Sequence, residues 1–581
     1  MSLFSSMGRS RLRPSTAGML AILCLAVALR FVLMRVNWPV VNADESIMGL
    51  MARHILYQGE HPIFFWGQDY MGTLQAYMGA VLIHFFGSSI FSVRLGTLLL
   101  FALYIVCMYL LVRLVYSVAF ALFSMALLSI GSERMMSVPL MANGGYAETM
   151  LFSALIFLIV VWLALTLPVE RTGVAFSRLL IYAALGFVIG LSLWSDTLVL
   201  SAVFTGGVFL LVCCRQELRV RVIGALIGGF LIGAIPLILY NITAPPFENS
   251  LFVLFGTVFT SAPRIMPFSQ QVGEVMLISL PHATGLPFTV GGQTVCGNAE
   301  PYTQVIGSLA NLFPSSNPWF CLGTRGGWSL GILIFWGIAL TRALVALRWL
   351  RTRRQKEAPG SLPEVKRQQQ VRLYATLMLL SSGAIWLLLF MFGQAAPITP
   401  RGSSRYLICL LLSVPALLWP LWLSIVKARE RLKGGERYVR TRFALSVLAL
   451  LLIASTYVMG TVETIRGLPA DQRSYNQINT VVQTLLSRGF TRFYSDYDTC
   501  SVLIFRSAER LLCIVLDNQL QAGSNRYAPY TIPVSETPYP PYVFPTASSA
   551  NQLLARTLGH DARYQHMVVD GYSIYYYSSS S

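Results

Sequence analysis

Asp44 and Glu45 stand side by side in Asn42-Ala43-Asp44-Glu45, a few residues after a long apolar run ends and next to Trp38 and Pro39. Charge so near an apolar medium is costly unless it caps a helix or does work. A carboxylate there can take a proton from a nucleophile. Capping a helix that starts near Ser46 is the structural alternative. A second candidate group is Arg401-Gly402-Ser403-Ser404-Arg405-Tyr406. Guanidinium forks match phosphate oxygens, and an Arg-Tyr anchor at a lipid surface is the alternative there. Glu148, in Asn143-Gly144-Gly145-Tyr146-Ala147-Glu148, and Asp196, in Ser195-Asp196, are further acids at the ends of apolar runs. Each can serve a polar cavity or simply favour the start of the next helix.

The other reactive residue types give less. His54, Glu60 and His61 raise a metal together with Asp44, but their spacing is no recognised ligand set. No metal site is assigned and no cofactor is required, although a divalent cation at Glu148 stays open. Five cysteines (Cys24, Cys107, Cys213, Cys214 and Cys409) fall in or beside apolar runs, where a thiol behaves as a small apolar group. Cys296 with Cys321, and Cys500 with Cys513, lie outside the runs. Two disulfides on an oxidising face and four free thiols are both compatible with this spacing.

The elements that must position these residues are membrane helices. The chain has 581 residues, 55% hydrophobic and only 12% charged, with mean hydropathy +0.61, far from the composition of a soluble domain. Continuous apolar runs at 17–37, 93–112, 114–131, 148–167, 179–194, 197–213, 222–241, 328–347, 373–392, 404–426 and 443–460 predict spanning helices and not a β-barrel. The net charge of +18 resides on one set of connections: 1–16, Arg113, 168–178, 214–222, 348–372 and 427–442. These hold 24 basic residues against 6 acidic, and the rest of the chain is balanced at 19 against 19. This is the positive-inside pattern of a cytoplasmic face, and it argues against nucleic acid as a partner.

Eleven spans place the amino terminus in the cytoplasm and the carboxy-terminal tail outside. A twelfth apolar run, 73–86, would invert every later loop if it crossed. Its 14 or so residues reach only about 21 Å as a helix, so it is expected to lie in the outer interface. The Gly-bounded runs 179–194 and 197–213 are the alternative place for an irregular span. The first run follows Arg9, Arg11 and Arg13 without a small-residue cleavage site, and is expected to remain as a signal anchor. The chain thus divides into a transmembrane domain, 1–460, and an extracytoplasmic domain, 461–581. Residues 38–92 form the first outer loop with its interfacial helices, and 243–327 form a long second one. The tail reads as a small α/β unit, helical at 471–488, with strands at Phe493–Tyr497, Leu511–Leu516 and Met567–Tyr577. The Pro-, Tyr- and Ser-rich stretch 528–548 reads as an ordered loop.

The order of features after the first span resembles the GT-C superfamily of polytopic glycosyltransferases, which use polyprenyl-phosphate sugars. The nearest kinship is with protein O-mannosyltransferases, the aminoarabinose transferase of lipid A and their bacterial relatives. Asp44 and Glu45, the interfacial helix, Phe86-Gly87 and Arg94 follow that family's order, Glu148 matches a later outer acid, and Arg405-Tyr406 matches an Arg-Tyr pair. The likeness covers most of 15–245, weakens to about 460 and does not extend into the tail. It implies a GT-C-like α-helical polytopic fold of 11–13 spans with Asp44 as general base and Glu45 orienting a partner. Arg405, Tyr406, Arg401 and Arg94 would hold the donor phosphate, with Glu148, Asn143 and Asp196 toward the sugar. Where the aminoarabinose transferase has a lysine, this chain has Tyr70 or Asp69.

Sugar transfer from a polyprenyl-phosphate donor, at the outer face of the plasma (inner) membrane, is therefore the leading expectation. The acceptor is open between lipid, glycan and protein. A transporter or flippase of lipid-linked sugars, and a non-catalytic membrane component, are the alternatives. No internal repeat of the kind common in transporters is visible.

Overall fold

Within lipid every backbone N–H must find a carbonyl in its own segment, so the apolar runs fold as helices. The structure is a computed structural model. It describes residues 14–168, 174–245, 248–250, 252–253, 267–290, 293–294, 318–355, 364–393, 399–431 and 437–578.

The first half runs α1 (Pro14–Arg35), α2 (Ala43–Tyr57), a hairpin of β1 (Phe64–Phe65) and β2 (Gln68–Gly72), α3 (Leu74–Phe86) and α4 (Ile90–Val115). Then follow α5 (Val118–Leu128), α6 (Glu133–Ser137), α7 (Tyr146–Leu165), α8 (Phe176–Ser195), α9 (Leu200–Cys214), α10 (Val220–Gly233) and α11 (Ile235–Thr243). Later helical segments are Gly327–Gln355, Glu364–Phe392, the 3-10 stretch Ser404–Leu412, Val414–Arg431 and Arg437–Ser487. Among the described residues eight helices are long and apolar enough to cross a membrane, and two bent pairs bring the number to ten. The pairs are α10 with α11, bent by 64°, and Pro400–Leu412 with Val414–Arg429, bent by 49°. The protein is a multi-pass membrane protein.

Two expectations change, and the run 73–86 is as short as its length predicts. The run 114–131 yields only the 11-residue α5, about 17 Å long and too short to cross by itself. The run 73–86 yields the 13-residue α3, with Gln75, Ala76, Ala80 and Ile83 buried and Val81, Phe85 and Phe86 exposed, an apolar outer face over a packed inner one. The boundary near 460 falls inside one continuous helix, Arg437–Ser487. It carries exposed Leu445, Leu448, Leu451 and Leu452 and continues without a break into the stretch expected at 471–488.

Packing is tightest between α8 and α10. A Cβ on Gly186 would lie 2.0 Å from the Leu226 carbonyl oxygen, and one on Gly229 would lie 1.9 Å from that of Ala183. Gly190 and Gly233 repeat the contact one turn on, against Phe230 and Phe187. Glycines four apart let two backbones touch where lipid offers no hydrophobic drive for association.

The short hairpin of β3 (Thr289–Val290) and β4 (Gln293–Thr294) belongs to the second outer loop. The tail folds as a five-stranded sheet in the order β6-β5-β7-β9-β8, with β5 Arg492–Ser495, β6 Leu512–Val515, β7 Tyr542–Pro545, β8 Tyr564–Val569 and β9 Tyr572–Tyr577. β5 and β6 are parallel, joined by helix Tyr497–Arg506. The stretch 528–548 is more than a loop, since it supplies the helix Thr531–Ser535 and the central strand β7. Cys500 and Cys513 form a disulfide, one of the two alternatives their spacing left open, tying that joining helix to β6. Cys321 is disulfide-bonded, and Cys296 lies outside the described residues.

Replacing Gly229 by leucine should abolish the α8–α10 contact and cost at least about 1–3 kcal/mol, seen as a lowered unfolding temperature in detergent. Gly228, which meets nothing within 4 Å, should tolerate leucine without loss.

Candidate active site

Asn42 starts α2 as its N-cap, its side chain accepting from Glu45 N at 2.9 Å. Residues 44 and 45 therefore occupy the first helical turn, about 100° apart around the axis. Glu45 points inward and is fully buried. Its carboxylate takes both arms of Arg94, Nε at 2.7 Å and Nη2 at 2.5 Å, together with Ala142 N at 3.2 Å. This corrects two expectations. Arg94 is 1% exposed, with Nε and Nη2 engaged by Glu45 and Nη1 buried without a partner, so it is enclosed within the fold and not presented at an open face for a donor phosphate. Glu45 orients α2 against α4 and the 138–145 segment, and has no open face for an acceptor either.

Asp44 points the other way. Its Oδ1 accepts from the Tyr497 hydroxyl at 2.9 Å. Tyr70 on β2 lies in the electrostatic field of Asp44, Asp196, Tyr406 and Arg526. Arg405 lies in that of Asp44, with its guanidinium 5.7 Å from the Tyr146 ring centre and 5.5 Å from that of Tyr406. Asp44, Tyr70, Arg405, Tyr406 and Asp196 thus share one region.

Beneath them is a buried polar floor. Glu148 accepts from Gln75 Nε2 at 2.6 Å and lies in the field of Asp196. Asp196 also caps the turn after it, accepting from Leu198 N at 2.8 Å, as its helix-start reading expects. Asn143 Oδ1, Gln75 Oε1 and Ser195 Oγ are buried without a hydrogen-bond partner, as befits atoms that would receive a polar ligand. Asp69 is engaged by Tyr240.

The arginine side is richer than the sequence indicates. Arg134, on α6, donates to the Arg401 carbonyl at 2.9 Å. Arg401 reaches Glu133 at 3.3 Å. Burial, then the charges of Arg405 and Arg401, hold Arg134 down to about 10 against the pull of Glu133. His282 is fully buried, and burial with Arg134, Arg401 and Arg325 nearby holds its pKa well below the usual value, leaving it neutral. Arg134 Nε and Arg405 Nε are both buried without a partner. Arg134 and Arg401 lie beside Glu133 and Arg405 lies in the field of Asp44, and guanidinium groups with N–H unspent can hold an anion. Arg134 is foreshadowed only by the charged pair Glu133-Arg134 at a helix start, an ordinary capping signal.

The C-terminal domain closes over α2. Phe505 packs on Gly49, where a Cβ would lie 2.5 Å from its ring. Gly67 turns the β1–β2 hairpin at φ 70°, and its carbonyl accepts from Arg526 at 3.0 Å. His54 is 1% exposed, held between Glu60 at 3.0 Å and Glu509 at 2.8 Å. Arg53 and Tyr530 also donate to Glu509, and Tyr527 to Glu60. Burial would push Glu509 up, but the hydrogen bonds from His54, Arg53 and Tyr530 outweigh it and hold it at about 2. Burial likewise opposes protonation of His54, and the same two acids overcome it, raising its pKa. His54 is therefore taken up in docking, and His61 is exposed. Among the described residues no three His, Cys, Asp or Glu side chains converge to hold a metal ion.

No family model matches the sequence, and no curated protein matches it. Solved structures do match. ArnT from Cupriavidus metallidurans bound to undecaprenyl phosphate superposes with a TM-score of 0.56 at 13% identity, covering 97% of this chain and 99% of that one. ArnT in the apo state gives 0.53 at 12%, covering 98% and 99%. The Archaeoglobus fulgidus oligosaccharyltransferase in complex with Zn and sulfate gives 0.51 at 13%, covering 91% and 68%. At such identities the likeness is one of fold: the chain shares the overall fold of these proteins.

Glu45→Gln and Arg94→Leu should each cost about 3–5 kcal/mol, and the double variant Glu45→Met, Arg94→Leu should recover much of the loss. Thermal unfolding in detergent checks this. Singles that unfold like the wild type but lose turnover would assign the pair to chemistry.

Docking of the C-terminal domain should depend on pH from both sides. Glu509, depressed to about 2 from 4.5, contributes above 4.5 and loses that contribution as pH falls toward 2. His54, raised above 6.5, contributes fully below 6.5 and loses it as pH rises through the raised value. Amide protection factors in helix Tyr497–Arg506, relative to the intrinsic exchange rate at each pH, should be highest between about pH 4.5 and 6.5, and Glu509→Gln should flatten the acid side.

Proposed function

We propose that the protein is a membrane glycosyltransferase that moves a sugar from a polyprenyl-phosphate donor to an acceptor hydroxyl or amine at the outer face of the plasma membrane. In this reading the amino terminus is cytoplasmic and the C-terminal domain extracytoplasmic, as the charge asymmetry of the loops requires. The observation that carries it is the meeting, in a GT-C fold, of the free acid Asp44 with Arg405 and its companions Arg134 and Arg401.

The chemistry divides between the two sides. Asp44 accepts the proton of the acceptor as its oxygen or nitrogen attacks the anomeric carbon. The bond from that carbon to the phosphate oxygen breaks, and the electron pair leaves on polyprenyl phosphate. Arg405, Arg134 and Arg401 meet the charge that grows on the phosphate. Glu148, Asn143, Gln75 and Asp196 offer hydrogen-bond acceptors to sugar hydroxyls, and Tyr70 and Tyr406 wall the cavity. That ArnT, similar in fold, is bound to undecaprenyl phosphate supports this choice.

A place for the lipid tail is also at hand. An apolar cavity of about 210 Å³ begins at Thr284, two residues from His282, and runs between Trp328, Trp336, Leu410, Leu417 and Tyr457. A prenyl chain whose phosphate met the arginines would lie along it.

Full-length protein supplied with a labelled polyprenyl-phosphate sugar and membrane lipid and glycan acceptors should release polyprenyl phosphate. Asp44→Asn should lower turnover by about 10²–10⁴-fold, and Arg405→Ala should raise the donor KM about 10-fold or more. No release, or an Asp44→Asn variant at full rate, contradicts the reading.

A further inference from the structure

The C-terminal domain does more than cover the first loop. Tyr497 is the first residue of helix Tyr497–Arg506, whose N-cap Asp496 accepts from Thr499 N at 2.9 Å. That cap sets the Tyr497 ring over the start of α2, and its hydroxyl donates to Asp44 Oδ1 at 2.9 Å. Arg526 donates through Nε to the Tyr497 oxygen at 3.0 Å, and through Nη1 to the Gly67 carbonyl at 3.0 Å. Arg526 is thus tethered to the first loop while polarising the phenol. A hydroxyl that accepts from a cation is a stronger donor to its own acceptor.

We propose that Tyr497 and Arg526 are positioning residues for the transfer: they pin the Asp44 carboxylate through Oδ1 and leave Oδ2 for the acceptor. This rests on Asp44 being the base. An ionised carboxylate has two acceptor oxygens, so fixing one orients the other without consuming it. A donor to the charged form also favours that form.

The charges around Asp44 make this support necessary. The charged and titratable groups facing it are Tyr70 from β2, Arg405 from Ser404–Leu412, and Tyr497, Asp498 and Arg526 from the C-terminal domain. Asp498 brings a second carboxylate close, accepting from Ala43 N at 3.4 Å, and like charges repel. Tyr497 and Arg526 arrive on the same domain and offset that repulsion. Burial, then the charge of Asp44, push the Tyr497 hydroxyl above its usual range, with Arg526 opposing, so it stays protonated wherever a carboxylate titrates. The first loop carries the base, but the base is complete only with the C-terminal domain docked.

The test follows kcat/KM against pH for the full-length protein with a labelled polyprenyl-phosphate sugar, comparing wild type, Asp44→Asn, Tyr497→Phe and Arg526→Gln. Tyr497→Phe should lower kcat about 10-fold with the donor KM little changed. Its acidic limb should move up by about half to one pH unit, because the acid has lost a donor to its charged form. Arg526→Gln should move the limb the same way, and it stands in if Tyr497→Phe does not fold. A limb that stays put in the folded variants while Asp44→Asn is inactive overturns the positioning role and leaves the base in place. An active Asp44→Asn overturns the base and this role together.

Discussion

The Glu45–Arg94 ion pair is the interaction on which the outer face depends. Both side chains are out of water, so each would carry a heavy desolvation cost without the other, and the bidentate geometry with Ala142 N is what offsets it. The pair joins α2, α4 and the segment before α7 at one point. It also decides what the neighbouring acid does. With Glu45 locked inward, the helical rotation of about 100° per residue turns Asp44 outward, toward Tyr497 and Arg405. One acid of the pair holds the fold, and the other is free for chemistry.

From that point the site assembles out of several distant stretches. The first loop supplies Asp44 and Tyr70, and the turns at 143–148 and 195–196 supply a buried polar floor. The segment from Arg401 to Tyr406, with Arg134, supplies the cations, beside Glu133. The C-terminal domain supplies Tyr497 and Arg526 from above. Acid and cations stay separate because each has its own scaffold: the acid is held by Tyr497, and the arginines lie against tyrosine faces and carbonyls. Binding an anion at the arginines then leaves Asp44 available as a base.

Much of this was legible in the sequence, and what was missed has a physical pattern. Apolar runs located most of the helices, because lipid imposes their length. The short reach of 73–86 marked it as a helix too short to span, and Cys500 with Cys513 took the disulfide alternative that their spacing left open. Asp44, Glu148, Asp196 and Arg405 converge because each lies at the end of an apolar run, and such ends gather near one surface. The division of labour between Asp44 and Glu45 was not legible, since adjacent acids look alike until a partner such as Arg94 is placed. Tyr497 and Arg526 carried no signal at all. They lie some 450 residues or more along the chain from Asp44, and a tyrosine and an arginine in a soluble-looking tail are ordinary surface residues. The strand Tyr542–Pro545 was hidden by its prolines and by the turn residues around it.

The central claim is that Arg405 and Arg134 receive a lipid phosphate on the side of the cavity that Asp44 faces. A structure of the full-length protein with polyprenyl phosphate bound tests it most directly. The account requires phosphate oxygens within about 3.2 Å of both guanidinium groups, with the prenyl chain descending past Thr284 and Trp328. A phosphate seated elsewhere, with both arginines unliganded, would contradict it.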